Sequence, residues 1–134
     1  MRSMNKIDRE FLCDLFSVAT YGCEWLEVRT LKSESDLDQK FKQEYLEVRC
    51  AEEKWADRLL SGGHVVFYDL YEMEDGDNKE SRHVITLEDV VKGLEKARDG
   101  EDPRDFADFI NENDDYYTGN NLLQIILFGE VVYG

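Results

Sequence analysis

The last thirteen residues constrain the fold most, because they are almost entirely apolar in a strongly acidic chain. The segment "LLQIILFGEVVYG" covers residues 122–134 and contains one carboxylate and no basic residue. Its first part is apolar on every side of a helix, and such a helix is buried on every side. Full burial of one large apolar side chain contributes roughly 1.5–3 kcal/mol before conformational entropy is subtracted. We therefore expect a central core helix here, and the pattern leaves a homodimer face open as the alternative.

Length and composition indicate one folded domain. A chain of 134 residues with 42% hydrophobic residues is long enough to bury a core of its own. No run approaches the roughly 18 apolar residues of a membrane span, and the N-terminus lacks the apolar stretch of a signal peptide. The three cysteines lack a CxxC spacing, which favours reduced thiols. We expect a single acidic α+β domain over residues 1–134, located in the cytoplasm.

Residue patterns in the first two thirds of the chain predict a small sheet and its helices. Asp8 precedes apolar residues at helical spacing and can cap the first helix. Aromatic and β-branched residues predict a strand at about 24–31. A helical pattern covers 36–61, and two β-rich runs on either side of Asp-Gly turn chemistry predict an antiparallel hairpin at about 64–86. The expected fold is therefore a small antiparallel sheet packed against several helices, with the C-terminal helix buried.

Capping residues predict where the later helices begin. Thr86 with Asp89 resembles a capping box for a helix over 87–97. Asp102 followed by Pro103 has the form of an N-cap and a first helical position.

The sequence offers more than one start for the final helix. Residues 111–120 look like a loop, and Thr118 or Asn120 can cap the helix that follows. Gly129 is suited to end this helix because glycine adopts a left-handed conformation freely. The residues "EVVY" after it predict a short strand.

Four stretches of the chain carry a resemblance to a known group of proteins. They read, in order, "DREFLCDLF", "LLSGGHVVFYDLYE", "ITLEDVVKGLEKA" and "LLQIILFGEVVYG". Together they resemble a group of small proteins encoded by bacteriophages, prophages and conjugative elements, which share a C-terminal Q-x-x-L-F-G-E-x-V-Y-G motif. Residues 31–53 and 101–115 depart from the pattern. The resemblance implies an origin in a mobile element and a place in the bacterial host cytoplasm, and it implies no catalytic residues.

The negative charge is concentrated in the second half of the chain. Residues 63–134 contain 6 Lys/Arg and 18 Asp/Glu, whereas residues 1–62 contain 10 and 13. An acidic surface repels nucleic acid and anionic lipid, since both are polyanions. We therefore expect neither direct nucleic-acid binding nor membrane binding. A basic groove on another protein is the partner that this charge favours.

Residues 101–115 hold the densest group of acids. Asp105, Asp108 and Glu112 are spaced by three and four residues, which predicts one helix face. Such a row can occupy a few phosphate pockets of a DNA-binding protein, although a solvated helix face is the ordinary alternative. The predicted partner-binding residues are Glu101, Asp102, Asp105, Asp108, Glu112, Asp114 and Asp115.

An aromatic and amide-rich stretch offers a different kind of site. On a loop, the side chains here can stack on a nucleobase and form hydrogen bonds with it: Tyr116, Tyr117, Asn120 and Asn121. Arg29 and Arg49 are candidates for the phosphate of such a ligand. The alternative is an ordinary turn with one packed and one exposed tyrosine.

Signatures of metal sites and catalysis are weak in this sequence. Asp75 and Asp77 begin like a calcium loop, but Lys79 occupies the third ligand position and Glu80 the place of the required glycine. The two histidines and three cysteines do not form a set with zinc spacing, and no GxSxG or phosphate-binding loop occurs. We expect no metal, no cofactor and no enzymatic activity.

These observations favour a non-enzymatic interaction protein of a phage or mobile element. Its expected role is to antagonise a host nucleic-acid-binding defence protein through an acidic surface that mimics DNA, as an anti-CRISPR-like inhibitor would. A sponge that sequesters a nucleotide signalling molecule is the first alternative. A structural or regulatory phage protein is the second.

Overall fold

The computed structural model describes residues 1–21, 23–29, 51–72 and 82–133. Within these ranges the chain is an α+β fold, as the sequence predicts. A π-helical turn at Ala97–Glu101 joins the third and fourth helices. The elements in chain order are α1 (Arg9–Thr20), β1 (Leu26–Arg29), α2 (Ala51–Leu60), β2 (Val65–Asp69), β3 (Arg82–Ile85), α3 (Leu87–Lys96), α4 (Pro103–Ile110) and α5 (Tyr116–Phe128).

The three strands form an antiparallel sheet in the order β1-β2-β3. β2 is central, and all five of its residues are buried. Val65 lies opposite Ile85, and Phe67 lies between Val28 and His83. The predicted hairpin and the predicted strand before it are therefore confirmed, and the register that the sequence left open is defined.

Helix starts that depend on nearby residues follow the sequence closely. The Asp8 carboxylate accepts a hydrogen bond from the Phe11 amide at 3.0 Å and caps α1. Thr86 and Asp89 form both halves of a capping box at the start of α3. Asp102 caps α4, and Pro103 occupies its first helical position. Each of these contacts spans three residues or fewer, so the local sequence is sufficient to specify it.

α5 begins earlier than the sequence suggests, and the prediction of a cap at Thr118 or Asn120 is wrong. The Asp115 carboxylate accepts a hydrogen bond from the Thr118 amide at 3.0 Å and caps the helix. Residues 116–120 are therefore helical rather than part of a loop. Thr118 is buried inside the first turns, where its hydroxyl is 3.2 Å from the same carboxylate.

The C-terminal residues run back along α5 without forming the predicted strand. The buried Gln124 side-chain oxygen accepts hydrogen bonds from the amides of Val132 (2.8 Å) and Tyr133 (2.7 Å). Its side-chain nitrogen donates to the Tyr133 carbonyl at 3.0 Å. One glutamine thus provides the hydrogen bonds that a neighbouring strand would have provided. Gly129 ends the helix with a φ of 83°, as predicted.

α5 is the core helix that the apolar ending predicts. Leu122, Leu123 and Ile125 are buried in a single hydrophobic cluster, where α5 packs against α1, α3 and α4. α3 approaches α5 so closely at Gly93 that a Cβ there would lie 2.5 Å from Ile126 Cγ1. Burial within one chain leaves the inner face of this helix unavailable to a second copy.

Two predictions fall partly or wholly outside the part of the chain that the structure describes. Of the helix expected over 36–61, Ala51–Leu60 is observed as α2, and residues 36–50 lie outside the described ranges. The calcium-like stretch containing Asp75 and Asp77 lies between the described ranges, and so does Arg49.

Candidate binding cleft and the acidic segment

The acidic segment, residues 101–115, does not present one continuous row of carboxylates. α4 ends at Ile110, and Glu112 lies beyond it with a φ of 60°. The prediction that Glu112 shares a helix face with Asp105 and Asp108 is therefore wrong. The chain turns at this point instead of continuing as a helix.

Asp114 forms an internal ion pair. The Arg2 guanidinium donates a hydrogen bond to the Asp114 carboxylate, whose side chain is only 6% exposed. The same guanidinium donates to the Phe109 carbonyl at 2.8 Å and lies 4.3 Å from the centre of the Phe109 ring. Asp114 therefore joins the start of the chain to the end of α4.

Two further acids of the segment have structural partners. The Glu112 carboxylate is 3.0 Å from the Met1 amino group, and this contact lowers the pKa of Glu112. The hydrogen bond from the Thr118 amide lowers the pKa of Asp115 at the start of α5. Both contacts favour the ionised forms of these side chains.

Asp102 and Asp105 form a linked pair at the start of α4. Asp102 accepts a hydrogen bond from the Asp105 amide at 3.2 Å, and the Asp105 carboxylate accepts one from the Asn121 side chain at 2.8 Å. Burial first, and then the hydrogen bond to the Asp105 carboxyl group, raise the pKa of Asp102 to about 6. This pair therefore ties α4 to α5.

Glu101 and Asp108 differ from the other five predicted partner-binding residues. Glu101 is exposed and Asp108 is half-buried. Neither side chain forms a hydrogen bond or ion pair with a residue that the structure describes. The structure thus divides the seven predicted residues into five with internal contacts and these two.

A separate cleft of about 220 Å³ opens between the sheet and the start of α5. Four short stretches form it. They are the residues before β1, Tyr71 after β2, the first turns of α5, and the C-terminal segment, which is residues 130–133. We call it the aromatic cleft. It is lined by Glu24, Trp25, Tyr71, Tyr116, Tyr117, Asn120, Asn121 and Tyr133.

One wall of the aromatic cleft is held by ring packing and a buried carboxylate. The Tyr133 ring centre is 5.1 Å from the Trp25 ring and 5.3 Å from the Tyr71 ring. The Tyr133 hydroxyl donates to Asp69 at 2.6 Å, and the Tyr71 amide donates to the other Asp69 oxygen at 3.0 Å. Burial and the Asp69 carboxylate raise the pKa of Tyr133. The phenol therefore stays protonated and keeps its hydrogen bond.

The opposite wall belongs to the α1–α5 interface. The buried Asn120 amide donates to the Ala19 carbonyl at 2.9 Å, and its oxygen accepts from Gln124 at 2.9 Å. The Cys23 sulfur lies 3.6 Å from the same amide nitrogen, and burial raises the pKa of this thiol. Asn120 thus has a structural role that fixes the base of the cleft.

The rim of the aromatic cleft is open to solvent. Tyr117 is 70% exposed and Tyr71 is 50% exposed. Glu24 is exposed as well and forms no ion pair with a described residue. Among the lining residues that the structure describes there is one carboxylate and no lysine or arginine. The cleft is therefore lined by aromatic rings and carries negative charge at its rim.

The structure brings Tyr116, Tyr117 and Asn120 together, as the sequence analysis grouped them, and adds residues that it missed. These are Trp25, Tyr71 and Tyr133, which lie far apart in the chain. Of the three, only Tyr133 belongs to a segment, the apolar residues 122–134, whose composition indicates that it packs inward. Arg29 lies in β1, where its backbone pairs with Val66, but its side chain and all of Arg49 are outside the described part. Binding of a ligand by these residues remains a prediction.

In the described part of the chain, no group of three or more His, Cys, Asp or Glu side chains is arranged to hold a metal ion. His83 is half-buried against the Phe128 ring, at 4.8 Å between ring centres, and burial lowers its pKa. None of the described helices has the length and apolar character needed to cross a membrane.

No protein-family model, curated protein or solved structure matches this chain.

Proposed function

We propose that this chain is a non-enzymatic interaction protein of a phage or mobile element that binds a basic host protein and antagonises its contact with nucleic acid. The observation that carries the proposal is the aromatic cleft. The cleft is concave and has exposed tyrosines and one carboxylate at its rim. The chain that carries it has a formal net charge of −15. Exposed aromatic residues around a concave site are typical of protein-binding surfaces.

The charge of the chain defines the kind of partner. Eighteen acids against six bases in residues 63–134 create a negative field that attracts basic surfaces and speeds encounter with them. Proteins that bind nucleic acid carry such basic surfaces, because they must neutralise phosphates. The resemblance of the C-terminal motif to proteins of mobile elements supports a host defence protein as the partner.

The internal contacts of the acidic segment change which acids the proposal uses. Five of its acids cap helices or form hydrogen bonds and ion pairs within the chain: Asp102, Asp105, Glu112, Asp114 and Asp115. A partner would therefore meet the acids without such contacts. In the described part of the second half these include Glu95, Glu101 and Asp108.

The test is competition between this chain and nucleic acid for one purified host partner. Extract of a bacterial host is passed over the immobilised chain at low salt, and a captured protein is purified. We expect duplex DNA to displace the chain, and the affinity to fall by about tenfold or more between roughly 50 and 200 mM salt. Simultaneous binding of DNA and the chain, or affinity independent of salt, would contradict the proposal.

Matched variants locate the interacting charge. Glu101→Gln with Asp108→Asn removes two charges from the acidic segment, and Glu10→Gln with Glu52→Gln removes two charges from α1 and α2. We expect the first pair to weaken binding more than the second. Equal effects would mean that only the total charge matters.

The aromatic cleft also favours a second candidate, the sequestration of a nucleotide. Its tyrosines and amides suit a nucleobase. However, the described lining offers no basic group to a phosphate, and about 220 Å³ is smaller than the roughly 300 Å³ at which small-molecule pockets usually begin. A thermal-shift screen with cyclic and linear nucleotides tests this candidate, since a ligand at 100 times its Kd stabilises by about 2.7 kcal/mol.

A further inference from the structure

We propose that the aromatic cleft binds the side chain of a single arginine of the partner protein. This inference rests on the proposed function and specifies how the partner is recognised. It is carried by the size of the cleft, the residues on its rim and the charges around it.

The size of the cleft suits one side chain. Its volume of about 220 Å³ lies below the range of roughly 300–1,000 Å³ that is usual for small-molecule pockets. Protein interfaces, in contrast, often depend on one large side chain inserted into a concave site, and arginine is among the residues most enriched in this role. A single inserted side chain is therefore a better match than a nucleotide.

The rim favours a cation. Tyr71 and Tyr117 are large aromatic residues that line the cleft and remain half or more exposed. The face of an aromatic ring carries partial negative charge and attracts a cation within about 6 Å of its centre. Arginine is favoured over lysine, because its planar guanidinium also stacks on rings and loses less hydration.

Negative groups around the rings strengthen this preference. Glu24 offers a carboxylate that no described residue pairs with. Behind the wall, the buried Asp69 accepts the hydrogen bond of Tyr133, which makes the Tyr133 ring richer in electrons. Asn121, which also lines the cleft, donates from its side-chain nitrogen to Asp105, and its side-chain oxygen accepts no hydrogen bond from a described residue.

The cleft requires little rearrangement to accept a guest. Trp25 and Tyr133 pack against each other and against Phe128, and Asn120 is held by hydrogen bonds to Ala19 and Gln124. Only the rim side chains lose conformational freedom when the arginine side chain binds. Preorganisation of this kind reduces the cost of binding.

The experiment is an NMR titration of the full chain with three blocked tripeptides. They are acetyl-Gly-Arg-Gly-amide, the same peptide with citrulline, and the same peptide with lysine. Citrulline keeps the shape of arginine but is neutral, so it isolates the charge. We expect the arginine peptide to shift the resonances of Trp25, Tyr71 and Tyr117 with a Kd on the order of 1 mM. The lysine peptide should bind more weakly, and the citrulline peptide about tenfold more weakly.

Two tyrosine variants form a matched pair. Tyr117→Ala removes a ring from the rim, whereas Tyr21→Ala removes one that is 80% exposed and does not line the cleft. We expect the first change to weaken arginine binding by about tenfold and the second to leave it unchanged. Glu24→Gln should weaken it by about threefold.

Several results would overturn the inference. These are equal binding of the arginine and citrulline peptides, equal effects of the two tyrosine variants, absence of shifts at the cleft, or tighter binding of AMP than of the arginine peptide. Failure of the proposed function is distinguishable. If DNA displaces the chain from the partner but the arginine peptide does not bind the chain, only the arginine inference fails. If the peptide binds while the chain and DNA occupy the partner together, only the proposed function fails.

Discussion

The acidic segment and the aromatic cleft show opposite relations between sequence and surface. The acidic segment is continuous in the chain and has seven carboxylates in fifteen residues, yet five of them have contacts within the protein. The aromatic cleft is assembled from four separate stretches, and its rim tyrosines remain open to solvent. Charge density along the sequence is therefore a poor guide to which groups are free to bind.

The difference follows from what each group needs. A helix start leaves amide groups without partners, and a nearby carboxylate satisfies them at low cost. Acids near helix starts are thus drawn into capping, as Asp102 and Asp115 are. No neighbouring backbone group needs a hydrogen bond from the rings on the cleft rim, and Tyr117 stays exposed.

The largest expected effect separates the cleft from the core. Gln124→Leu keeps the volume of a buried side chain but removes the four hydrogen bonds that hold Asn120 and the C-terminal segment. Leaving these groups without partners should lower the free energy of unfolding by about 3 kcal/mol. Urea unfolding measures the loss. Glu130→Gln, in the same segment but exposed, should change it by less than about 0.5 kcal/mol. A small loss for Gln124→Leu would mean that the C-terminal segment is held by ring packing alone.

The next effect tests whether the acidic segment is structural. Asp114→Ala removes one of the two acidic partners of Arg2, whose guanidinium is largely buried against Phe109. We expect a loss of about 2 kcal/mol in the free energy of unfolding, because the guanidinium loses its hydrogen-bonded carboxylate in a poorly hydrated place and keeps only the Asp14 carboxylate at 3.4 Å. The control is Glu101→Ala, which should cost less than about 0.5 kcal/mol. If both variants unfold at the same urea concentration, the distinction between paired and free acids in this segment is not supported.

A smaller effect depends on pH. The pKa of Asp102 is raised to about 6 in the folded state from 3.8, so the folded protein binds this proton more tightly than the unfolded chain. The contribution of Asp102 to stability should therefore fall as the pH rises from about 4 to about 6, and remain lower above that. Asp102→Asn keeps an N-cap residue and removes this loss. The variant should gain stability relative to the original protein between pH 4 and pH 7.5 in urea unfolding, and a difference independent of pH would contradict the raised pKa of Asp102.

The smallest effect concerns the rim of the cleft. Tyr117→Ala removes a ring that contacts Tyr116 at 5.3 Å but is mostly exposed. We expect the free energy of unfolding to change by less than about 0.5 kcal/mol. A large loss in thermal unfolding would place this ring in the structural part of the protein and weaken its assignment to binding.

Much of the fold was predictable because its signals are local. The caps at Asp8, Thr86 and Asp102 each depend on residues three positions apart, and the central strand is marked by its run of β-branched and aromatic residues. The start of α5 was predicted wrongly because Asp115, Thr118 and Asn120 are all competent caps. Burial decides between them, because Thr118 is buried and Asn120 is buried with a hydrogen bond to Ala19 of α1, so that exposed Asp115 forms the helix end.

The candidate site was predictable only in part, for the same reason. Tyr116, Tyr117 and Asn120 are close in the chain, and the sequence analysis grouped them. Trp25, Tyr71 and Tyr133 join them through the sheet and the Gln124 hydrogen bonds, which connect positions that no local pattern relates. Sequence spacing likewise suggested that Glu112 shares a helix face with Asp105, but α4 ends at Ile110, before Glu112.

The sequence by itself determined the class of the fold, the buried terminal helix and the acidic character of the second half, because these follow from composition and from contacts between near neighbours. Only the tertiary structure decided which carboxylates are consumed by ion pairs and caps, and which rings meet at the aromatic cleft. Those outcomes depend on contacts between distant segments such as Arg2 with Asp114 and Tyr133 with Asp69. Contacts of this kind form only after the core has brought the segments together, so no short stretch of sequence encodes them.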